Sequence, residues 1–519
     1  MSDMTLVPVD DVWMRVDNAS PALLRELSDY FTFQTPGSEF MRRQARFRGW
    51  DGRVRLFKLK TRTIYRGLLH RVIEFAESHN WPNYKNDIPE PIPFLQGEEL
   101  DLWLDSMELP FPLRDYQRDA LRAALDMNRG IIVSPTGSGK SYVIWLLTQA
   151  ISVPKTLVIV PTIGLVQQMS SDFVSYGCEA CNIHTISGGA DKGSNKPIFV
   201  STWQSIYDLP ADYFRQFGMV VCDEVHLAKA KSLTGLMEKC AWVPYRYGFT
   251  GTINDTQAHR LILEGLFGEV RKVATTTGLV KAEQLAPLHV KMIVLEYPEQ
   301  TRKNLRRSQY QDEVDYIVGE PARIEFIARL VAQHKGNTLV LFTLIDKHGK
   351  QLYERIRQLC PTKDTYFVTG ATGGDERENV RQTVETTDER DQVIVASFGV
   401  FSTGINLRRL HHLVFASAGK SKIRTLQSIG RGLRTHASKS KITIYDIVDD
   451  LRIGKRQNYA WRHASERAAL YASEKFPVTL HPIKMEEFSH LVSPSVLGEP
   501  RFNEPTGDQG SVGVSPETV

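Results

Sequence analysis

Two short segments carry residue types that could do phosphate chemistry. Ser134-Pro135-Thr136-Gly137-Ser138-Gly139-Lys140-Ser141 follows the apolar run Gly130–Val133 and precedes a helical pattern. A glycine-rich loop between strand and helix points backbone N–H groups at a phosphate, and the helix N-terminus adds a favourable dipole. Lys140 is then placed to reach the β and γ phosphates of a nucleotide, and the Ser141 hydroxyl to ligate Mg²⁺. Ser134 stands where the pattern normally has its first glycine. About 80 residues on, Val220–His226 (VVCDEVH) ends a second apolar run. There Asp223 is suited to hold Mg²⁺ largely through water. Glu224 is suited to orient and deprotonate an attacking water, and His226 completes the segment.

Such residues need a scaffold. The chain has 519 residues, too many for one core, so about three domains are expected. From Leu113 onward short aliphatic runs (TLVIVP, PIFVST, MVVCDE) alternate with helical stretches, as in a buried parallel sheet. The alternation begins again after about residue 285 with TLVLFT, TYFVTG, QVIVAS, HLVFAS and KITIYDIVD. Two successive α/β units follow from that pattern. Before them, residues 1–88 form a small α+β domain, in which Ser20-Pro21 starts a helix as N-cap and first residue. The expected division is 1–88, a linker over 89–110, lobe 1 over 111–285, lobe 2 over 286–450, a helical extension over 451–493 and a disordered tail over 494–519.

Composition narrows the class. Hydrophobic residues make up 42% and charged residues 24%, with a net charge of +4, so nucleic-acid binding has to come from local patches. The longest apolar run is far short of the ~20 residues that span a bilayer, and the stretch MSDMTLVPVDD, with acids and no apolar h-region, is not expected to act as a secretory signal. Five scattered cysteines argue for reduced thiols in a cytosol, that of the host cell if the chain is phage-encoded.

Further motifs fall in the order of a known group. The chain resembles the superfamily-2 helicases of the DExH type through LRDYQ, VPTIGLVQQ, VSTWQS, FTGT, VASFGVFSTGINL and QSIGRGLR as well as the two segments above. The resemblance implies two RecA-like lobes and the following roles. Arg114 and Gln117 read adenine, while Pro161, Thr162, Thr202 and Gln204 grip a nucleic-acid backbone. Thr250 and Thr252 couple hydrolysis to strand movement. Thr403 and Gly404 approach the ATP cleft, Gln427 positions water, and Arg431 and Arg434 neutralise γ-phosphate charge. FRGWDGRVRLF and YASEKF make it more similar to the UvsW-type helicases of tailed phages. That group acts on branched recombination and replication DNA: junctions, stalled forks and R-loops. The expectation is an ATP- and Mg²⁺-dependent DNA helicase or translocase. Its partners would be branched DNA, single-stranded DNA and RNA–DNA hybrids, it would act as a monomer, and recombination or single-strand-binding proteins could join it. The rival readings are an RNA helicase, a restriction-system motor and a strand-annealing protein.

One stretch answers to none of the motor motifs. Between Arg42 and Lys60 stand eight Lys or Arg residues and one acid, Asp51, interleaved with Phe47, Trp50 and Phe57. Asp51-Gly52 signals a hairpin joining RFRGW to RVRLF. Arg42, Arg43, Arg46, Arg48, Arg53 and Arg55 are suited to neutralise phosphates and release counterions. Trp50 or a neighbouring ring could stack on bases, or the rings could form the small domain's core. Three other signals are set aside as bland: Cys178-Cys181-His184 as half a zinc site, TGATGG as a strand-to-helix turn, and Asp449-Asp450 as a solvated strand end rather than a nuclease site.

Overall fold

The computed structural model describes residues 3–35, 38, 50–79, 81–89, 94–95, 97–188, 191–227, 230–251, 253, 257–282, 286–386, 390–403, 407, 409–417 and 441–489. The expected disordered tail therefore lies outside the described residues.

The N-terminal domain opens with a hairpin of β1 (Met4–Pro8) and β2 (Trp13–Asp17). It continues with the short strands β3 (Thr32–Gln34), β4 (Arg53–Arg55), β5 (Thr63–Tyr65) and β6 (Tyr84–Asn86). Four of them form a sheet in the order β5-β2-β1-β6, and β3 pairs with β4. Helix Pro21–Tyr30 begins as expected: the Ser20 hydroxyl accepts the Leu23 N–H at 3.2 Å, with proline in the first turn.

Lobe 1 comprises β7 (Arg129–Val133), β8 (Thr156–Val160), β9 (Ile183–Ile186), β10 (Ile198–Thr202), β11 (Met219–Cys222), β12 (Tyr245–Thr250) and β13 (Val270–Lys272). Their order is β13-β7-β12-β11-β8-β10-β9, every pairing parallel. β8, β10 and β11 are buried along their whole length, which is why they read as unbroken apolar runs. The expected linker is not free chain throughout. Helix Glu98–Ser106 gathers Glu98, Glu99 and Asp101 at its N-terminus and packs Leu100 and Leu104 into the lobe 1 core.

Lobe 2 comprises β14 (Leu288–Glu296), β15 (Thr338–Phe342), β16 (Asp364–Val368), β17 (Gln392–Ser397), β18 (His412–Phe415), β19 (Ile442–Asp450) and β20 (Val478–Lys484). The order is β16-β17-β15-β18-β19-β14-β20, again all parallel. The C-terminal segment is helical over Tyr459–Ser473, and it also supplies β20, which pairs with β14. It therefore belongs to the lobe 2 sheet. Tyr471, in YASEKF, is buried and donates to Asp446 at 2.8 Å beside a buried Arg467–Asp446 ion pair. Asp449 and Asp450 correct the expectation of a solvated strand end. Asp449 is buried against Arg323 (2.7 Å) and accepts from the Tyr297 hydroxyl (2.9 Å), while Asp450 pairs with Arg452 (2.7 Å). An Arg on each neutralises what would otherwise be a costly pair of buried charges. TGATGG is the turn between β16 and helix Gly374–Thr386.

The small domain is joined to lobe 1 by one continuous apolar core, from Leu6 and Phe75 to Leu236 and Phe267. Two polar nodes fix the joint. Asp11 receives Arg66 at 2.8 Å and Arg129 at 3.3 Å. Glu264, on helix Gln257–Phe267, receives Arg260 (2.7 Å), Arg71 (3.0 Å) and His70 (3.3 Å). Between the nodes the backbones nearly touch. A Cβ on Gly67 would collide with the carbonyl oxygens of Glu264 and Gly265, and one on Gly265 would lie 2.8 Å from the Tyr65 Cβ.

Burial alone would raise the Glu264 carboxyl. Hydrogen bonds from His70, Arg71 and Arg260 outweigh it and hold the group at about 2. A carboxyl depressed in the folded state stabilises above its unfolded value, and that stability is lost as pH falls toward 2. Arg71→Ala/Arg260→Ala leaves the buried carboxylate short of partners and is expected to cost about 3 kcal/mol at pH 7. The deficit should shrink as Glu264 protonates. Urea unfolding at pH 7 and pH 4 measures both; an equal deficit at the two values would show that the charge is not what matters.

Candidate functional site

The parallel sheet of lobe 1 lines up the chemistry. Ligands of open α/β sheets bind beyond the carboxyl ends of the strands. Taken in sheet order, β7 runs into the Ser134–Ser141 loop, β12 ends on Thr250, β11 leads to Asp223 and Glu224, β8 leads to Pro161 and Thr162, and β10 ends on Thr202. The residues expected to cradle phosphate, hold metal, act as base and grip a backbone thus form a single row along one edge. Only the fold brings together residues so widely separated along the chain.

Within the row the glycine loop is shaped from inside. Gly137 and Gly139 take left-handed φ of 88° and 79°, which side-chain-bearing residues adopt only with strain. Ser134, the departure from the usual pattern, donates its hydroxyl to the Ser138 Oγ at 2.7 Å and so braces the loop across its base. Gln117 braces it from outside: its Nε2 donates to the Ser138 carbonyl (2.9 Å) and its Oε1 accepts the Arg114 N–H (3.1 Å). One N–H and one lone pair of that amide remain for a base edge. Arg114 is exposed, with Nη1 on the Tyr116 hydroxyl at 2.9 Å. Pro135 is buried and Thr136 half-buried, its Oγ1 close against Gly251.

Lys140 opens helix Lys140–Ala150 and is nearly buried; its Nζ lies 3.4 Å from Glu224 Oε1. Glu224 itself sits at φ 49°. This left-handed turn directly after β11 swings its carboxylate back toward the loop instead of continuing the strand. Its other oxygen is 3.4 Å from His226 Nδ1, which also lies 2.5 Å from the Thr250 Oγ1. Lys140, Glu224, His226 and Thr250 therefore form one polar chain from the phosphate loop to the end of β12. Asp223 accepts the Glu224 N–H at 2.9 Å on one oxygen.

The residues expected to grip a backbone share another device. Thr162 caps helix Ile163–Ser175 by accepting the Leu165 N–H, and Thr202 caps helix Trp203–Ile206 by accepting the Ser205 N–H. Parallel register sets Thr202 opposite Val160, so two helix N-termini emerge side by side with Ile163 and Gln204 exposed. Adjacent N-termini suit a run of phosphates.

In the basic strip, β4 pairs with β3, Thr32–Gln34, while residues 46–49, the other side of the expected hairpin, lie outside the described residues. Gly52 does take the expected left-handed φ, at 81°. Leu56 and Phe57 are both buried in the domain core, which ends the alternation and removes Phe57 as a stacking platform. Trp50 is half-buried, its indole N–H donating to the Arg53 carbonyl at 3.1 Å. Arg53 and Arg55 are exposed, and Arg55 pairs with Asp51 at 2.5 Å. Arg42, Arg43, Arg46, Arg48, Phe47, Thr252, Gly404, Gln427, Arg431 and Arg434 lie outside the described residues; Thr403 closes helix Phe398–Thr403.

Sequence reasoning missed Tyr176. Its hydroxyl lies 2.9 Å from the Ser141 Oγ, within a cluster of rings with Phe111, Tyr142 and Trp145. No local signal marks a tyrosine 35 residues away as a neighbour of the loop. Among the described residues no group of three or more His, Cys, Asp or Glu could hold a metal; His184 instead contacts the Asp191 carbonyl at 2.9 Å. No helix of the described residues is long and apolar enough to cross a membrane.

Known proteins agree with this architecture. Residues 110–255 match the family described as type III restriction enzyme, res subunit, and residues 9–86 match DNA helicase UvsW, N-terminal. In fold the chain resembles the DNA-bound type ISP restriction-modification enzyme LlaBIII, with TM-score 0.54 and 16% identity over 72% of this chain and 31% of that one. The DNA 3'-5' translocase XPB2 of Sulfurisphaera tokodaii is 27% identical, covering 67% of this chain and 87% of that protein. The ATP-dependent DNA helicase UvsW of Enterobacteria phage T4 is 32% identical over 498 residues, covering 91% of this chain and 98% of the T4 protein. With 91% of this chain and 98% of the T4 protein aligned at that identity, the chain belongs to the UvsW family of superfamily-2 DNA helicases.

Proposed function

We propose that this protein is an ATP-dependent DNA helicase that unwinds and branch-migrates junctions, stalled forks and R-loops in recombination, repair and replication. The observation that carries the reading is the single row of strand ends in lobe 1, where the phosphate loop and the backbone grip flank Glu224 and Thr250. A change at the γ-phosphate can pass from Glu224 through His226 to Thr250 at the end of β12, while β8 and β10 carry the strand-gripping residues on the other side of β11.

Ser141 and Asp223 offer hard oxygen donors, a set that fits Mg²⁺ completed by water and nucleotide oxygens; bound there, the ion would neutralise phosphate charge. Lys140 neutralises the terminal phosphates. Glu224 takes the proton of the attacking water, which Gln427 orients. Arg431 and Arg434 of lobe 2 bring their planar donor forks to the γ-phosphate when the lobes close. Arg114 and the remaining capacity of Gln117 read adenine.

ATP hydrolysis measured with single-stranded DNA, duplex, a four-way junction, RNA and an RNA–DNA hybrid tests the reading. Stimulation by DNA, together with junction unwinding, is expected; stimulation by RNA alone would make the protein an RNA helicase, and equal rates with and without nucleic acid would remove the coupling.

The strip of the small domain selects the branched substrate on this reading, and the neighbours of its cations rank them. Arg55 is partly neutralised by Asp51, whose carboxyl the Arg55 hydrogen bond holds at about 2, so the pair persists at any working pH. Arg53 lends Asp51 only its backbone N–H (3.1 Å) and keeps its full side-chain charge. Arg53→Ala should therefore weaken junction binding more than Arg55→Ala. Replacing Arg46, Arg48, Arg53 and Arg55 together should reduce the slope of log K against log salt by about 0.7 to 0.9 for each phosphate no longer neutralised. Fluorescence anisotropy over a salt series reads both. Wild-type slopes in the fourfold variant would leave the strip without a role in DNA binding.

A further inference from the structure

Lobe 2 carries a second concentration of cations that neither the nucleotide site nor the lobe 1 grip uses. Segments 302–307 and 452–462 contain eight Lys or Arg residues and no acid. They follow β14 and β19, adjacent parallel strands, and so emerge together at the carboxyl edge of the sheet. Part of this charge is satisfied internally: Lys303 pairs with Glu299 (2.9 Å) and Arg452 with Asp450 (2.7 Å). Arg306, Arg307, Lys455, Arg456 and Arg462 are exposed and make no ion pair among the described residues.

Their setting is built. Reciprocal backbone hydrogen bonds of 3.2 and 3.1 Å close the turn from Ile453 to Arg456, with Gly454 at φ 56°, so Lys455 and Arg456 project from a fixed tip. Arg462 lies over the Tyr459 ring at 4.5 Å. Arg306, Arg456 and Arg462 line a cleft of about 320 Å³. The one acid at its floor, Glu313, is buried and committed: it accepts the N–H groups of Tyr459 (3.0 Å) and Ala460 (2.7 Å) and the Asn458 amide (3.0 Å). The floor is therefore electrostatically spent while the rim stays cationic.

We propose that this cleft and its rim grip the phosphodiester backbone of a second arm of the branched DNA; the proposal rests on the branched-DNA reading above. Five uncompensated cations exceed what a single phosphate requires and suit a polymer bearing a charge about every 1.7 Å. Position argues for a second arm. The segment after β17, expected to face the ATP cleft, is separated from β19 and β14 by β15 and β18. At about 4.8 Å per strand that places the patch roughly 14 to 19 Å along the sheet from that segment, clear of the nucleotide cleft and on the lobe that does not carry Thr162 and Thr202. One arm would then be held by the body that contains lobe 1 and another by lobe 2, so that each closure of the cleft shifts one against the other.

The test uses the full-length protein carrying Arg306→Ala, Arg307→Ala, Lys455→Ala and Arg456→Ala, all exposed positions. Hydrolysis stimulated by single-stranded DNA should stay within about twofold of wild type, while affinity for a four-way junction near 150 mM salt falls about tenfold or more, with a shallower salt slope. Replacing the three arginines by lysine, which keeps the point charge, should preserve the slope. Wild-type junction affinity and slope in the alanine variant would overturn the inference, as would an equal loss on single strands and junctions. If the wild-type protein hydrolyses ATP on single strands yet ignores junctions, it is the branched-DNA reading that fails.

Discussion

Lys140→Ala is expected to cut ATP hydrolysis by about 10³-fold or more while leaving DNA binding largely intact. Removing one preorganised charge from a transition state typically costs about 10² to 10³, and here the lysine does two things. It is the cation at the mouth of the glycine loop, and it holds Glu224 at 3.4 Å. Alanine removes the phosphate contact and also the partner of a carboxylate in a mostly buried position. DNA affinity should survive because the grip proposed above rests on Thr162, Thr202 and the small domain, while the ion-pair partner of Lys140 is Glu224. Steady-state hydrolysis with saturating single-stranded DNA, paired with anisotropy on the same DNA, separates the effects. Near-normal turnover would remove the loop from the mechanism.

Glu224→Gln should bind ATP at least as tightly as wild type and hydrolyse it about 10³-fold more slowly, within the roughly 10² to 10⁴ that a positioned base contributes. The amide keeps the size of the side chain, and glutamine meets the φ of 49° as glutamate does, so the backbone should not move. The asymmetry comes from the Lys140–Glu224 pair. ATP has to draw the lysine away from the carboxylate, and a neutral amide holds it less. Equilibrium binding of a fluorescent nucleotide and single-turnover hydrolysis read the two effects separately. Lost binding with unimpaired chemistry would take the role of base away from Glu224.

Much of this site is readable in the sequence because its logic is local. A glycine loop between strand and helix, and acids at a strand end, announce themselves in a handful of consecutive residues, and the fully buried strands leave apolar runs that nothing else explains. What stays hidden depends on distance through space. Tyr176 meets Ser141, and Ser134 braces Ser138, only because the parallel sheet and one loop fold them together. β20 reads as weakly apolar because most of it is exposed at a sheet edge. Asp449-Asp450 reads as solvated because the arginines that bury them are far away or unmarked, Arg323 lying 126 residues upstream. Phe57 is ambiguous for a different reason: a ring beside cations reads alike whether it faces a base or a core, and only the packing of the small domain decides.

The contact between Gly67 and Gly265 has a mechanical meaning. Two backbones pressed together without side chains leave no room to slide or roll, and the ion pairs on Glu264 and Asp11 pin the joint on either side. The three globular parts therefore act as two moving bodies. The described part of the cationic strip, β4 with Leu56 and Phe57 in the shared core, travels with the phosphate loop as a fixed outrigger, its lever arm set once by folding. Every stroke that ATP drives has to appear at the opposing lobe, and the strip serves as the stationary jaw against which that displacement is measured.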